Sequence, residues 1–332
     1  MSANKDAWLK LKTEEVIDPE LPICDAHHHL WDHYGDEYML DKYLEDISGG
    51  HKILKTVYVD CAMLYRQEGP EELRPVGETE YVKGFSGKYT GTNNSIEIAA
   101  GMVAHAELKL GDAVKPVLEA HLEIGGKMVR SIRYGCIWDP DPKIKSLSPP
   151  GIMCDQKFRQ GFACLKEYGL SFDAWLYFTQ LPELIDLARA FPDTTIITGH
   201  IGGIVGVGAY AGRREEIFPY WKRMMADLAD CPNVYMKLGG QSNIRCGYGW
   251  HQREMPPSSI DLASAWAPYF NWCIEQFGPE RCMFESNFPV DRQSCSYTVL
   301  WNAYKRISAT YSRNEKQFLF HDTAVRAYRL TS

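Results

Sequence analysis

The sequence is short of the features that mark several large classes of protein. Among its 332 residues, no apolar run approaches the roughly 18 residues a membrane-spanning helix needs. There is no basic excess, since 36 lysines and arginines face 43 acids and the formal net charge is −7. Nucleic-acid binders usually carry a basic patch, and none is visible, so neither a nucleic acid nor a membrane is an expected partner. The ten cysteines lie scattered from Cys24 to Cys295 without a C-x-x-C pair. The first residues, MSANKDAWLKLKTEEV, carry charge but lack the apolar centre of a secretory signal. These two absences predict reduced thiols and a cytoplasmic location. No G-x-S-x-G elbow and no Walker A loop occurs. Gly206, Gly208 and Ala211 have dinucleotide-fingerprint spacing, yet several residues part them from the preceding strand candidate, where the fingerprint needs direct succession. Internal repeats, low-complexity tracts and linkers are missing too.

What remains is an ordinary globular composition, 45% hydrophobic and 24% charged. Short apolar runs alternate with helical patterns. Eight strand candidates fall at 23–29, 56–62, 99–106, 129–135, 170–177, 195–200, 234–239 and 282–287. Several are apolar on both faces, as buried parallel strands are. Helices are predicted at 112–124, 181–190, 213–229, 260–276, 297–308 and 315–329. Pro182 suits a first helical turn, and Ser258 with Asp261 resembles a capping box. Eight β–α units predict an α/β fold, a (β/α)₈ TIM barrel over 23–332 with extended strand-to-helix loops, after an N-terminal extension at 1–22. The same alternation permits a doubly wound open sheet. The polar, Gly-rich stretch 66–94 reads as a long loop insertion with a short helix, either a lid or a surface feature.

Histidines at strand ends carry the chemistry. In Asp25-Ala26-His27-His28-His29, strand alternation puts His27 and His29 on one face and His28 on the other. His200 closes the sixth strand candidate before Gly202 and Gly203. Three imidazoles from two strands could form a His₃ zinc site with an open water position, the alternative for His200 being a core histidine. Glu285 and Asn287 share a face of the last strand. Glu285 must meet a cation, an arginine or the site, and Asn287 can hydrogen-bond but cannot act as a base. Arg133 and Lys237 could hold a substrate carboxylate, or form ion pairs with Glu285 or Asp60. Tyr177 could bind substrate or belong to the core. His251, ending a Gly-rich aromatic loop, is a proton-donor candidate or a plain loop residue. His105 and His321 read as structural, and His33, His51 and His121 as surface positions.

DAHHHLWD, TGHIGG and ESNFPVD, with FDAWLY, QLPELIDLARAFPDT, KLGG and HDTAVRAYRL, together resemble the amidohydrolase-related (amidohydrolase-2) family from about Asp25 to Leu330. The resemblance implies a TIM-barrel hydrolase. Members open sugar lactones or pyrone-type rings, and a related branch holds zinc-dependent decarboxylases. By position, His27, His29 and His200 match the metal or carbonyl-polarising histidines, and Arg133 matches a substrate-carboxylate arginine. Asn287 stands where most members have an Asp that is metal ligand and general base, so the usual base is absent. Glu285 or Asp291 would substitute. Phe178-Thr179 precedes Gln180 where relatives often have a His. No lysine in 129–135 offers a bridging carbamate, which implies one divalent metal at most, zinc by preference, with metal-free chemistry also known in the family.

The expected activity is therefore hydrolysis of a carboxylate-bearing lactone, a small-molecule substrate, with Glu285, Asn287 and His251 as catalytic candidates and Arg133, Tyr177 and Lys237 as substrate-binding ones. A non-oxidative decarboxylase and a non-catalytic binding barrel are the alternatives. The nine tryptophans and nineteen tyrosines could supply a homo-oligomer interface or only core.

Overall fold

The computed structural model describes residues 2–33, 36–90 and 95–330. Eight parallel strands follow one another around a barrel: β1 (Pro22–His28), β2 (Lys52–Val59), β3 (Ser95–His105), β4 (Val129–Gly135), β5 (Ser171–Trp175), β6 (Ile196–Thr198), β7 (Val234–Leu238) and β8 (Cys282–Phe284). Each pairs with its sequence neighbours in that order. Closure is made just past β8. The Asn287 amide donates to His27 O at 2.8 Å, and the His29 amide donates to Phe288 O at 2.7 Å. A parallel bridge between His28 and Phe288 completes the ring. This closure excludes the open-sheet alternative.

Local signals explain most of the helices. Leu181–Ala190 carries Pro182 in its first turn, and Ser259–Phe277 opens with the reciprocal Ser258–Asp261 cap. The helix Gln156–Glu167 was not foreseen, although Asp155 caps it by accepting from the Phe158 amide at 2.9 Å. The stretch expected as one helix at 315–329 is broken by a π-helical turn, Phe318–Asp322, between Arg313–Gln317 and Thr323–Ala327. That break lets Ala324, Ala327, Tyr328 and Leu330 plug the barrel against Cys24, Val57, Val103, Ile197 and Met283.

The insertion at 66–94 contains the helix Val76–Phe85 and a strand, Gly87–Thr90, antiparallel to the start of β3. Its residues 91–94, and 331–332 at the predicted barrel end, lie outside the described residues. All ten cysteines are free thiols, and only Cys154 is exposed. Among the described residues no helix is long and apolar enough to cross a membrane.

Two histidine readings are corrected. His51 and His121 are buried rather than superficial. His51 stands 2.9 Å from Lys305 Nζ, and His121 stands 2.7 Å from Thr79 Oγ1. Side-chain placement of His33 lies outside the described set.

Candidate active site

A cavity of about 880 Å³ opens at the C-terminal ends of the strands, where catalytic groups of such barrels collect. Its wall includes His29 beyond β1, Asp60 and Cys61 beyond β2, His105 ending β3, Arg133 on β4, Trp175 ending β5, His200 beyond β6 and Asn287 beyond β8. Tyr65, Lys145, Asn243 and Arg245 join from the loops, and the wall also includes Lys5, Trp31, Asp36, Val290 and Gln293.

Beneath this wall lies a buried carboxylate between two histidines. Glu285 Oε1 accepts from the His200 backbone amide at 3.0 Å and lies 2.7 Å from His200 Nδ1. Oε2 stands 2.8 Å from His27 Nδ1 but has no aligned hydrogen-bond partner. Burial pushes the Glu285 carboxyl up, but His200 and His27 outweigh it and hold it well below the usual range. Burial lowers His27, His29 and His200 and keeps the imidazoles neutral; Lys237 adds to this at His27 and Arg133 at His29. Neutral imidazole and ionised carboxylate are the protonation states that ligate a metal.

The donors that converge are His27, His200 and Glu285, whose ligand atoms all lie within 4.8 Å of one another. His29 stands outside that set. Its Nε2 is 3.0 Å from His27 Nε2, and its Nδ1 is 2.7 Å from Val59 O. The convergent set thus joins Glu285 to two of the three expected histidines, because its side chain reaches both rings. Two imidazoles and a carboxylate are a zinc-type donor set, and the unaligned Oε2 leaves a lone pair for a cation, so these residues fit a divalent metal.

The sequence places these groups by local means. Asp25, fully buried, accepts from the Ser286 amide at 2.9 Å and from the Tyr43 and Tyr297 hydroxyls at 3.0 Å. It thereby locks the end of β1 to the end of β8. His28 points to the opposite face, stacked on Tyr43 at 4.1 Å and 3.0 Å from Thr56 Oγ1, as strand alternation predicts. A Cβ on Gly239 would stand 2.3 Å from Glu285 Cγ, and one on Gly240 would stand 2.5 Å from the His200 ring. The double glycine after β7 therefore lets the chain press against both groups. His200 and Asn287 hold left-handed backbone, with φ of 54° and 53°, a conformation that residues other than glycine adopt only when their surroundings enforce it.

Asn287 lines the cavity. Its Nδ2 donates to Asp291 Oδ1 at 2.8 Å, which leaves its carbonyl oxygen free of that bond. Asp291 is buried behind it and also accepts from the Ser242 amide at 3.1 Å. Burial pushes its carboxyl up to about 8 against the pull of these two donors.

The predicted cations separate. Lys237 is fully buried, 2.7 Å from Asp173 and 3.3 Å from His27 Nδ1, and is absent from the cavity wall. Neither of its expected partners, Glu285 or Asp60, is the one used. Arg133 does face the cavity, donates to Asp60 O and stacks over Trp175 at 5.0 Å. Tyr177 is turned away, its hydroxyl donating to Lys145 O at 2.6 Å. His251 is exposed in the turn Trp250–Gln252, away from the wall. His105, expected to be mere packing, lies on the wall between Tyr65 and Tyr134.

Several wall residues were missed. Arg245 sits directly before the Gly-rich loop that held His251, and its buried Nε has no hydrogen-bond partner. Asp60 follows the apolar run of β2, a strand-end carboxylate that position alone could have flagged. Its Oδ2 accepts from the Tyr65 hydroxyl at 2.8 Å. Burial raises its carboxyl, but Glu78, His105, Arg133 and Tyr65 together hold it below the usual range. Glu78, pushed up by burial and by Asp60, keeps the proton in that pair. It accepts from the Tyr58 hydroxyl at 2.6 Å and from the Cys61 and Met63 amides at 3.0 Å, which fixes the loop carrying Asp60.

The chain is similar to known proteins over most of its length. The amidohydrolase family profile matches residues 24–330. An uncharacterised protein, y4mH, of Sinorhizobium fredii is 30% identical over 94% of this chain and 99% of its own. An L-fucono-1,5-lactonase of Burkholderia ambifaria is 26% identical, covering 81% of this chain and 80% of its own. An amidohydrolase of Burkholderia multivorans solved with bound zinc shares the fold, with a TM-score of 0.70, 20% identity and coverage of 93% and 99%. The family and these relatives support an enzyme, a hydrolase of that family. With a closed barrel, strand-end histidines and a family match across nearly its whole length, the chain belongs to the amidohydrolase family.

Proposed function

We propose that the chain hydrolyses a lactone that bears a carboxylate. The observation that carries this reading is the pair Arg133 and Arg245, two cavity-lining guanidiniums of which neither forms an ion pair among the described residues. A buried or half-buried guanidinium without an anion is costly, and a bidentate carboxylate is its natural complement. The lactonase relatives support the cyclic-ester part of the reading.

A divalent metal, zinc by donor type, would be held by His27, His200 and Glu285, and when bound supplies a water that ionises near neutral pH. The other steps fall to the chain's own groups. Arg133 and Arg245 fix the substrate carboxylate and so orient the ring. The Asn287 carbonyl accepts a hydrogen bond from the attacking water but takes no proton. Asp60, the ionised carboxylate on the wall, takes that proton as the water oxygen bonds to the lactone carbonyl carbon. Collapse breaks the ring C–O bond. The Tyr65 hydroxyl, which burial keeps protonated and which donates to Asp60, relays a proton to the leaving alkoxide. The product is a hydroxy acid.

The test is proton release over a panel of neutral and carboxylated lactones, with mass spectrometry for the gain of one water and elemental analysis of the same protein. Ring opening favouring acidic lactones is the expected result. A panel in which no lactone opens above the buffer rate overturns the reading.

A further inference from the structure

The stretch before β1 reads from the sequence as an extension outside the barrel. One of its residues reaches the cavity. Lys5, on the helix Ser2–Leu9, lines the wall beside Trp31, Asp36 and Gln293. Among the described side chains of that helix only Leu9 is buried, so apolar packing does little to hold it. Polar contacts hold it instead. Arg292, which follows the wall residue Val290 and precedes Gln293, lies 2.7 Å from Asp6 Oδ1 and 3.2 Å from Asp46 Oδ2. The Trp8 indole donates to Arg253 O at 3.0 Å. The same short segment after β8 thus forms cavity wall and clips the helix in place. Lys5 itself forms no ion pair among the described residues. Burial disfavours its charge, and Asp36 opposes that only in part. An anion arriving in the cavity would complete its surroundings.

We propose that the helix Ser2–Leu9 is a working wall of the site and that Lys5 joins Arg133 and Arg245 in binding the anionic end of the substrate. This deepens the reading above and takes the substrate's carboxylate from it. Arg292 is a positioning residue, acting through Asp6.

The experiment is equilibrium binding of glutarate, with its uncharged counterpart glutaramide as control, followed by the emission of the wall tryptophans Trp31 and Trp175. Lys5→Ala should weaken glutarate by about two- to fivefold, as removal of one partly screened charge does. Lys5→Glu should weaken it further, Lys5→Arg should hold within about twofold, and glutaramide should respond to none of them. Arg292→Gln and Asp6→Asn should each weaken glutarate in the same sense while circular dichroism stays unchanged. Wild-type affinity in Lys5→Glu, or no saturable glutarate binding by the wild type, overturns the proposal. Lys5-dependent binding in a protein that opens no lactone overturns the hydrolase reading and leaves Lys5 in its role.

Discussion

The interior of the barrel and its mouth carry the same kinds of side chain and use them differently. Inside, Lys237 is neutralised by Asp173, which also accepts from the Tyr328 hydroxyl at 2.8 Å. At the mouth, Arg133 donates to a carbonyl and stacks over Trp175, Arg245 lies over the Tyr177 ring, and neither forms an ion pair among the described residues. Interior carboxylates differ from mouth carboxylates in the same way. Glu285 is enclosed by two imidazoles and an amide, whereas Asp60, although held by Tyr65 and Glu78, faces the cavity. Charges that satisfy one another fix the scaffold, and charges left short of a partner are the ones available to a substrate. Burial and partner count therefore separate two roles that residue type alone confounds.

The sharpest way to break this contrast is at Asp60. Asp60→Asn should lower kcat by about 10²–10⁴, the usual worth of a general base, with metal content unchanged. An unchanged kcat would move the base back to the interior. Because Asp60 is held below the ordinary carboxylate range, wild-type kcat/KM should stay level down through that range and fall only beneath it. Lys237→Met should cost about 3–5 kcal/mol in urea unfolding, since Asp173 is left buried and unpaired, while KM of the folded protein barely moves. A KM effect instead would place Lys237 at the mouth.

Arg133→Ala should raise KM for carboxylated lactones by about 10–100-fold, the worth of one hydrogen bond between charged groups, and spare neutral ones. An equal effect on both classes would make Arg133 scaffold. Asp291 sharpens the interior side through pH. Its folded value is raised to about 8, against about 3.9 unfolded. A raised carboxyl contributes stability that is complete below the unfolded value and lost as pH rises through the folded one. Wild-type unfolding midpoints should therefore fall relative to Asp291→Asn between about pH 4 and 8, and parallel curves would contradict the buried, protonated state. The smallest effect belongs to His251→Ala, exposed and off the wall. Stability should move by less than about 0.5 kcal/mol, with kcat/KM unchanged.

Much of the fold was legible because buried parallel strands read as apolar runs, and all eight were located within a few residues. Strand alternation gave the facing of His27, His28 and His29, and the position of His200 put it on the wall. The strand ending at Thr90 was not legible, because a polar strand on an insertion has no apolar face to announce it. The long final helix failed because its apolar pattern serves a plug under the barrel rather than a straight helical stripe. His51 and His121 failed because burial depends on neighbours far away in sequence, such as Lys305 and Thr79.

The sequence by itself determined the class of fold, the ring of histidines at strand ends and the family, since these follow from local periodicity and short motifs. It also determined that residue 287, an Asn, cannot be a base. Only the tertiary structure decided which carboxylate reaches the cavity. Whether Glu285, Asp291 or Asp60 faces the cavity depends on which way each side chain leaves its strand and what meets it there. Glu285 turns down between two imidazoles, Asp291 hides behind Asn287, and Asp60 reaches the wall. The same holds for Lys5, whose segment carries no signal of function until Arg292, from the far end of the chain, brings it to the mouth.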